Sequence, residues 1–279
     1  MKNTPFQSQT HFVGAGNMAS ALIGGLLNRG FSPERISVSD PNEHARDQLQ
    51  KKHGITAYSS NLEGLGCADM VVLAVKPQHM QSVITELADV LQGSANPPVL
   101  LSIAAGITTG SIKKWARCNV PVIRSMPNTP ALIGQGASGL YATPNVSVQQ
   151  KQLAENILSA VGKAWWLPQE DLLDAVTAVS GSGPAYFFLF MEALQQAGEA
   201  IGLPKEISRQ LVLQTAQGAA GLALHSPHDL TELRRQVTSP GGTTAAALEA
   251  MLAAELPAIV RRAVKAAHDR AGELSREFG

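Results

Sequence analysis

Phe12-Val13-Gly14-Ala15-Gly16-Asn17-Met18-Ala19 joins a short apolar run to a helix-like one through the pattern G-x-G-x-x-A. Each small residue has a task. Gly14 permits a tight turn, Gly16 lets the backbone approach a pyrophosphate, and Ala19 lets helix and strand pack closely. The helix that follows would offer free N–H groups and a partial positive charge to the phosphates. Such a pattern predicts a dinucleotide site when a strand precedes it, a helix follows it and further βαβ units continue.

The flanking sequence supplies those units. Arg35–Ser39, Met70–Val75, Val99–Ile103 and Val122–Met126 are short runs rich in apolar and β-branched residues, and Ser138–Ala142 and Lys163–Leu167 are weaker ones. Ala19–Arg29, Pro41–His53, Gln78–Leu91 and Thr109–Ala116 lie between them and are long enough for crossover helices. The alternation predicts an α/β, Rossmann-like, doubly wound sheet of parallel strands buried on both faces. After Pro168 the strand pattern stops. Tyr186–Ala200, Pro204–His225, Thr244–Leu256 and Pro257–Ser275 read as helices, with Pro204 and Pro257 at first-turn positions. The expected division is residues 1–168, a Rossmann-like dinucleotide-binding domain, then residues 169–279, an all-α C-terminal domain.

Composition narrows the function. The 279 residues carry 22 basic and 22 acidic side chains, so nucleic acid and other polyanions are not expected partners. A hydrophobic fraction of 44% against 16% charged suggests subunit contacts. Cys67 and Cys118 form no CxxC and read as buried small hydrophobes in a reducing compartment. No apolar run reaches the ~20 residues of a membrane span, and Met1–Gln9 is polar, unlike a signal peptide. A cytoplasmic chain with no membrane partner is expected. The seven histidines form no HExxH, and no metal is expected.

Ligands of doubly wound sheets bind beyond the carboxyl ends of the strands. Asp40 lies there, 26 residues after Gly14. Its carboxylate would accept from the 2′-OH of NAD and repel the 2′-phosphate of NADP. Asp40-Pro41-Asn42 reads equally well as a turn and N-cap, and Arg46 would favour a phosphate, so the cofactor choice stays open. Lys76-Pro77, Ala104-Ala105-Gly106 and Pro127-Asn128-Thr129-Pro130 follow other strands. Ser180–Tyr186 and Thr238–Thr244 are runs of small residues leading into helix starts. Each is either an anion site suited to a substrate carboxylate or a plain helix cap.

Several strings together carry a resemblance: Phe12–Met18, Ala74-Val-Lys-Pro77, Ser102-Ile-Ala-Ala-Gly106, Arg124-Ser-Met-Pro-Asn-Thr-Pro130, Ser180-Gly-Ser-Gly-Pro-Ala-Tyr186 and Val237-Thr-Ser-Pro-Gly-Gly-Thr-Thr244. Along nearly its whole length the chain resembles the pyrroline-5-carboxylate reductases. The resemblance implies reduction of the cyclic imine Δ1-pyrroline-5-carboxylate to L-proline by NADPH or NADH, the last step of proline biosynthesis. It implies a cofactor site at Val13, Gly14, Ala15, Gly16, Asn17, Met18, Asp40, Asn61, Ala74, Val75, Lys76, Pro77, Ile103, Ala104 and Ala105. It implies a substrate loop at Ser239, Gly241, Gly242, Thr243 and Thr244. Some NADPH-using relatives carry Ser or Thr where this chain has Asp40. The resemblance further implies homodimers through interlocked helical domains, often built into larger rings, with each active site shared between two chains.

Within that frame, the backbone N–H groups of Gly242–Thr244 are expected to bind the substrate carboxylate. The Thr244 hydroxyl would pass a proton to the ring nitrogen, or serve only as an N-cap. Ser239 would order the loop, and Lys76 would fix the cofactor near the nicotinamide ribose. A β-hydroxyacid dehydrogenase shares the plan but uses a lysine early in its helical half, and this chain has none between Lys163 and Lys205. A nucleotide sensor would share the fold without needing the substrate-anion loop.

Overall fold

The computed structural model describes residues 8–278. The polar start expected over Met1–Gln9 therefore lies mostly outside the described residues. Strands β1 (Thr10–Val13), β2 (Ile36–Ser39), β3 (Thr56–Tyr58), β4 (Met70–Leu73), β5 (Val99–Ser102), β6 (Val122–Met126), β7 (Gly136–Ala142) and β8 (Gly162–Trp166) form one sheet. Their order is β3-β2-β1-β4-β5-β6-β7-β8, so the chain changes direction across the sheet between β1 and β4.

The runs behind β1, β4, β5 and β6 are apolar because both faces of the sheet are covered. Successive side chains point to opposite faces. Met70 and Val72 join one core cluster while Val71 and Leu73 join the other. The first cluster is closed by α1 (Asn17–Asn28) and α2 (Glu43–His53). The second is closed by α3 (Asn61–Leu65), α4 (Pro77–Gly93) and α5 (Thr109–Ala116), and α6 (Val148–Ser159) returns to the first. Side chains terminate these helices where expected of Asn, Ser and Thr: Asn42 caps α2, Thr108 caps α5, and Ser60 and Ser147 form capping boxes with Glu63 and Gln150.

Several elements depart from the sequence expectation, which did not include α6 or the helices at Leu172–Val176 and Leu230–Gln236. β7 runs antiparallel to β6, although β8 is again parallel to β7. Only a 3₁₀ segment (Thr129–Ile133) separates β6 from β7, too short for the crossover a parallel neighbour needs. β3 and α3 were not expected. Each is a handful of residues, and β3 is exposed or half-buried, so neither leaves a periodic apolar signal. Cys67 is exposed rather than buried, and Cys118 is only partly covered.

The chain forms two compact units, and their boundary differs from the one expected after residue 168. The sheet unit runs to Ser182 and takes back the residues from Ala267 onward. Helix α7 (Leu172–Val176) continues into a π-helical turn at Thr177–Gly181, with the Ser182 N–H on the Thr177 carbonyl at 2.8 Å. Leu173 and Ala178 are buried here, and Val176 packs over Gly139 of β7, which ties this segment to the sheet.

The second unit, Gly183–Ala266, holds α8 (Gly183–Ala200), α9 (Lys205–His225), α10 (Leu230–Gln236), α11 (Thr243–Ala253) and the start of α12 (Leu256–Phe278). Pro204 is the N-cap of α9, one place outside the expected first turn. Gly198 lets α9 approach α8, where the Ser208 hydroxyl donates to the Gln195 carbonyl at 2.8 Å. The last turns of α12 belong to the sheet unit. There Ala271 is buried, Phe278 joins the second core cluster, and the Leu274 backbone lies against Gly106.

Within one protomer the helical unit leaves Phe187, Phe188 and Leu189 about two-thirds exposed. Exposed large apolar side chains gathered on one helix mark an interaction surface. Among the described residues no single helix is long and apolar enough to cross a membrane; α11 and α12 reach that composition only as a pair bent by 53°.

Candidate active site

The sheet register brings the expected cofactor residues to one edge. Tyr58, Ser39, Val13, Leu73 and Ser102 form a single row across β3, β2, β1, β4 and β5. Asp40, Gly14, Ala74 and Ile103 are the next residues beyond that row on four of these strands. Backbone bonds hold them there: Gly14 N–H to the Ser39 carbonyl (2.7 Å), Ala74 N–H to Val13 (2.8 Å) and Ile103 N–H to Leu73 (3.3 Å). This is the carboxyl edge at the point where strand order reverses, the usual ligand position of such sheets.

The two glycines of the loop are required for different reasons. Gly14 has φ +104°, and a Cβ there would fall 2.7 Å from the Ala74 carbonyl oxygen. Gly16 has an ordinary extended backbone and caps α1 without any side-chain bond. A Cβ on Gly16 would meet no protein atom within 4 Å, so the space over it is open. An uncapped helix start beside that space offers unspent N–H groups to an anion. Asn17 and Met18 form the first turn of α1, with Ala19 buried behind them. The residues thus fit the pyrophosphate of a dinucleotide.

Asp40 is engaged in the turn that was one of its two readings. One carboxylate oxygen accepts from Ala15 N–H and the other from Asn42 N–H, both at 2.8 Å. It therefore clamps the phosphate loop to the start of α2, while Asn42 serves as the N-cap. Arg46 donates to the Asp40 carbonyl at 2.6 Å. Asn61, the first residue of α3, accepts from the Ser39 hydroxyl at 2.7 Å and donates to Glu86 at 2.9 Å.

Behind them lies His11, which sequence reading did not single out as functional. It is buried in β1 between the Ser37 and Ser39 hydroxyls, at 2.9 and 3.0 Å. Burial lowers its pKa from 6.5 to about 4. The unfolded chain takes up a proton below pH 6.5 that the folded chain does not. The stability due to His11 is thus present above pH 6.5 and is lost as pH falls toward 4, by at most roughly 3 kcal/mol. Thermal unfolding at fixed protomer concentration is expected to show this loss, and His11→Gln to flatten it. An equal pH slope in the variant would assign the loss to another group.

The remaining rim residues differ in exposure. Lys76 is exposed and caps α4, with Pro77 in its first turn; Ala74 and Val75 are half-buried, Ala104 is buried and Ala105 is partly covered. Asn128 uses its whole amide as a pin. Its oxygen accepts from Ala137 N–H at 2.8 Å, and its nitrogen donates to the Ser180 carbonyl at 3.1 Å. The Ser180 hydroxyl returns to the Ala137 carbonyl at 3.1 Å. Two of the strings that carried the resemblance are thereby locked together. Ser180–Gly181 is wound into the π turn rather than left as an open anion loop.

In the helical unit, Thr238 closes the end of α10, its hydroxyl donating to the Arg234 carbonyl. Gly241 has φ +69°, and Gly242, not Thr244, is the N-cap of α11. The Gly242 N–H is already bonded to the Ser239 carbonyl at 3.0 Å, and the first intrahelical donor is Ala246. Of the expected amide set Gly242–Thr244, the Gly242 N–H is thus spent within the loop, and the N–H groups of Thr243, Thr244 and Ala245 precede the first intrahelical donor. Ser239, Gly241, Thr243 and Thr244 are exposed.

Comparison with known proteins fits this picture. Residues 170–274 match the family described as pyrroline-5-carboxylate reductase dimerisation, and residues 9–106 match the NADP oxidoreductase, coenzyme F420-dependent family. The chain is 50% identical over 268 residues to the pyrroline-5-carboxylate reductase of Pseudomonas aeruginosa, covering 96% of this chain and 97% of that one. The chain belongs to the pyrroline-5-carboxylate reductase family. A solved reductase of this family from Coxiella burnetii matches with a TM-score of 0.92 at 42% identity, covering 97% of this chain and 99% of that one. The Plasmodium falciparum pyrroline carboxylate reductase, solved with NADP bound, matches with a TM-score of 0.84 at 30% identity over 98% of this chain and all of that one. In this reductase family the helical region carries dimerisation, which gives the exposed aromatic side chains of α8 their context.

Proposed function

We propose that this chain reduces Δ1-pyrroline-5-carboxylate to L-proline with NADPH or NADH as hydride donor. The observation that carries the reading is the open space over Gly16 beside the uncapped start of α1, at the point where strand order reverses. Val13–Met18 would hold the pyrophosphate. Asp40 and Asn61 would border the adenosine ribose. Ala74–Pro77 and Ile103–Ala105 would line the nicotinamide half, with Lys76 near its ribose. When bound, the reduced nicotinamide supplies the hydride.

The substrate ring carries its own activation. A protonated imine already bears the positive charge that hydride addition neutralises, so little acid catalysis is needed, and placement carries much of the rate. The free N–H groups of Thr243, Thr244 and Ala245 would hold the substrate carboxylate at the start of α11, with Ser239 ordering the loop through its carbonyl. The Thr244 hydroxyl would keep the proton on the ring nitrogen. The same reading makes the protein a cytoplasmic homodimer that assembles into a larger ring.

Purified protein given pyrroline-5-carboxylate should consume NADPH or NADH and form proline. Nucleotide binding without turnover would instead favour a sensor or a different substrate. Thr244→Ala is expected to lower kcat about 100-fold, at the low end of acid–base effects, with cofactor affinity kept. An unchanged kcat would reduce Thr244 to a helix-start residue.

A further inference from the structure

Five side chains from β1, β2, α3 and α4 bond in series: Ser37, His11, Ser39, Asn61 and Glu86. Their direction follows from the last. A carboxylate only accepts, so the Asn61 atom facing Glu86 at 2.9 Å is its amide nitrogen. Asn61 Oδ1 is then the acceptor at the other side, and Ser39 Oγ spends its one proton on it at 2.7 Å. Ser39 can therefore only accept from His11 Nε2, at 3.0 Å, and the ring proton sits on that nitrogen. His11 Nδ1 is bare and accepts from Ser37 Oγ at 2.9 Å. Burial keeps the ring in the neutral form this order requires. Gly64 of α3 seats the ring, since a Cβ there would overlap the imidazole.

A chain of donors running this way holds the Asn61 amide in one orientation. One of its N–H bonds goes to Glu86, and the other has no partner among the described residues. Asn61 is half-exposed and follows β3, whose last carbonyl, on Tyr58, accepts from Asp40 N–H at 3.4 Å. Around it, both Asp40 carboxylate oxygens already accept backbone N–H groups, and Arg46 is bonded to the Asp40 carbonyl. Asn61 is thus a held donor beside the expected ribose position.

We propose that Glu86 and His11 are positioning residues for the dinucleotide, locking the Asn61 amide so that its remaining N–H meets an oxygen on C2′ of the adenosine ribose. That oxygen belongs to the hydroxyl of NADH or to the phosphate of NADPH. The inference rests on the placement of Asn61 in the cofactor site.

The test has two parts. In ¹⁵N NMR of the whole protein at neutral pH, His11 should be the Nε2–H tautomer; the Nδ1–H tautomer would overturn the directed chain. Direct titration with NADPH and with NADH then measures the effect. Loss of a charge-assisted or held donor is worth about tenfold in affinity. His11→Leu should weaken binding by about that factor, with the loss in KM for the dinucleotide. His11→Gln, whose amide can reach the Nε2 position, should restore most of it. Glu86→Ala alters only an exposed helix face and should weaken binding severalfold even if the His11→Leu variant does not fold.

A loss confined to NADPH identifies the phosphate as the acceptor, and an equal loss for NADH identifies the hydroxyl. Unchanged affinities in Glu86→Ala and His11→Leu, with binding weakened in Asn61→Asp, would overturn the positioning role. Unchanged affinity in Asn61→Asp would remove Asn61 from the cofactor site and, with it, the reading beneath the proposal.

Discussion

Gly16→Val is expected to abolish dinucleotide binding while the protein stays folded. The backbone at Gly16 is extended (φ −71°, ψ −178°), a conformation valine adopts without strain, and no protein atom lies within 4 Å of its added Cβ. The cost to the fold is that of a poor N-cap, about 1 kcal/mol. The side chain instead fills the space a pyrophosphate would take beside the start of α1. A loss of at least about 100-fold in affinity is expected, on the order of 3 kcal/mol, read by titration with NADPH and NADH.

Gly14→Ala is the contrasting control. Its φ of +104° and the Ala74 carbonyl 2.7 Å from the new Cβ place the damage in the fold itself, so Tm falls. If Gly16→Val still binds nucleotide with near-normal affinity, the loop is a structural turn and the cofactor site lies elsewhere.

Glu170→Ala is expected to give the largest loss of stability. Arg124 of β6 is only 6% exposed, and its guanidinium donates to Glu170 at 2.8 Å. The same carboxylate accepts from the backbone N–H and the hydroxyl of Thr109 at the start of α5. Removing it leaves a buried cation and two donors unpaired. Breaking a buried pair from one side costs about 3–5 kcal/mol, which for a unit of this size lowers Tm by about 10 °C. Replacing both partners by apolar residues of similar volume should cost much less, because the penalty is the orphaned charge rather than the lost attraction. Thermal unfolding of the single and double variants at equal protomer concentration checks both statements. A single variant within about 2 °C of the wild type would show that the pair contributes little to holding β6, α5 and the segment before α7 together.

Much of the site was legible because local chemistry specifies it. Gly14 is demanded by a turn that only glycine allows, Gly16 leaves open the space the proposed pyrophosphate would take, and their spacing stands in the chain itself. Asp40 was placed correctly at the end of β2, but its partners were not legible. Whether a carboxylate faces a ribose or two backbone amides depends on how Ala15 and Asn42 come to lie around it. Thr244 was expected as a candidate N-cap, and the cap fell to Gly242 because the chain turns at Gly241 and closes on the Ser239 carbonyl. Asn128 stands within Arg124–Pro130, yet its role as a pin to Ser180 was invisible, since the two are 52 positions apart. His11 and Glu170 left no signal at all. A buried histidine inside a strand and a single acid between two elements look ordinary until their partners arrive.

The sequence by itself determined the doubly wound core and the family. Strands buried on both faces must be written as continuous apolar runs, and a pyrophosphate loop must be written in glycine. The tertiary structure alone decided the reversal of β7, the presence of β3 and α3, and the return of the end of α12 to the sheet unit. It also decided the directed chain from Ser37 to Glu86. Each of these depends on which distant residues meet, or on a connection too short to cross the sheet, and not on the preference of any one stretch of chain.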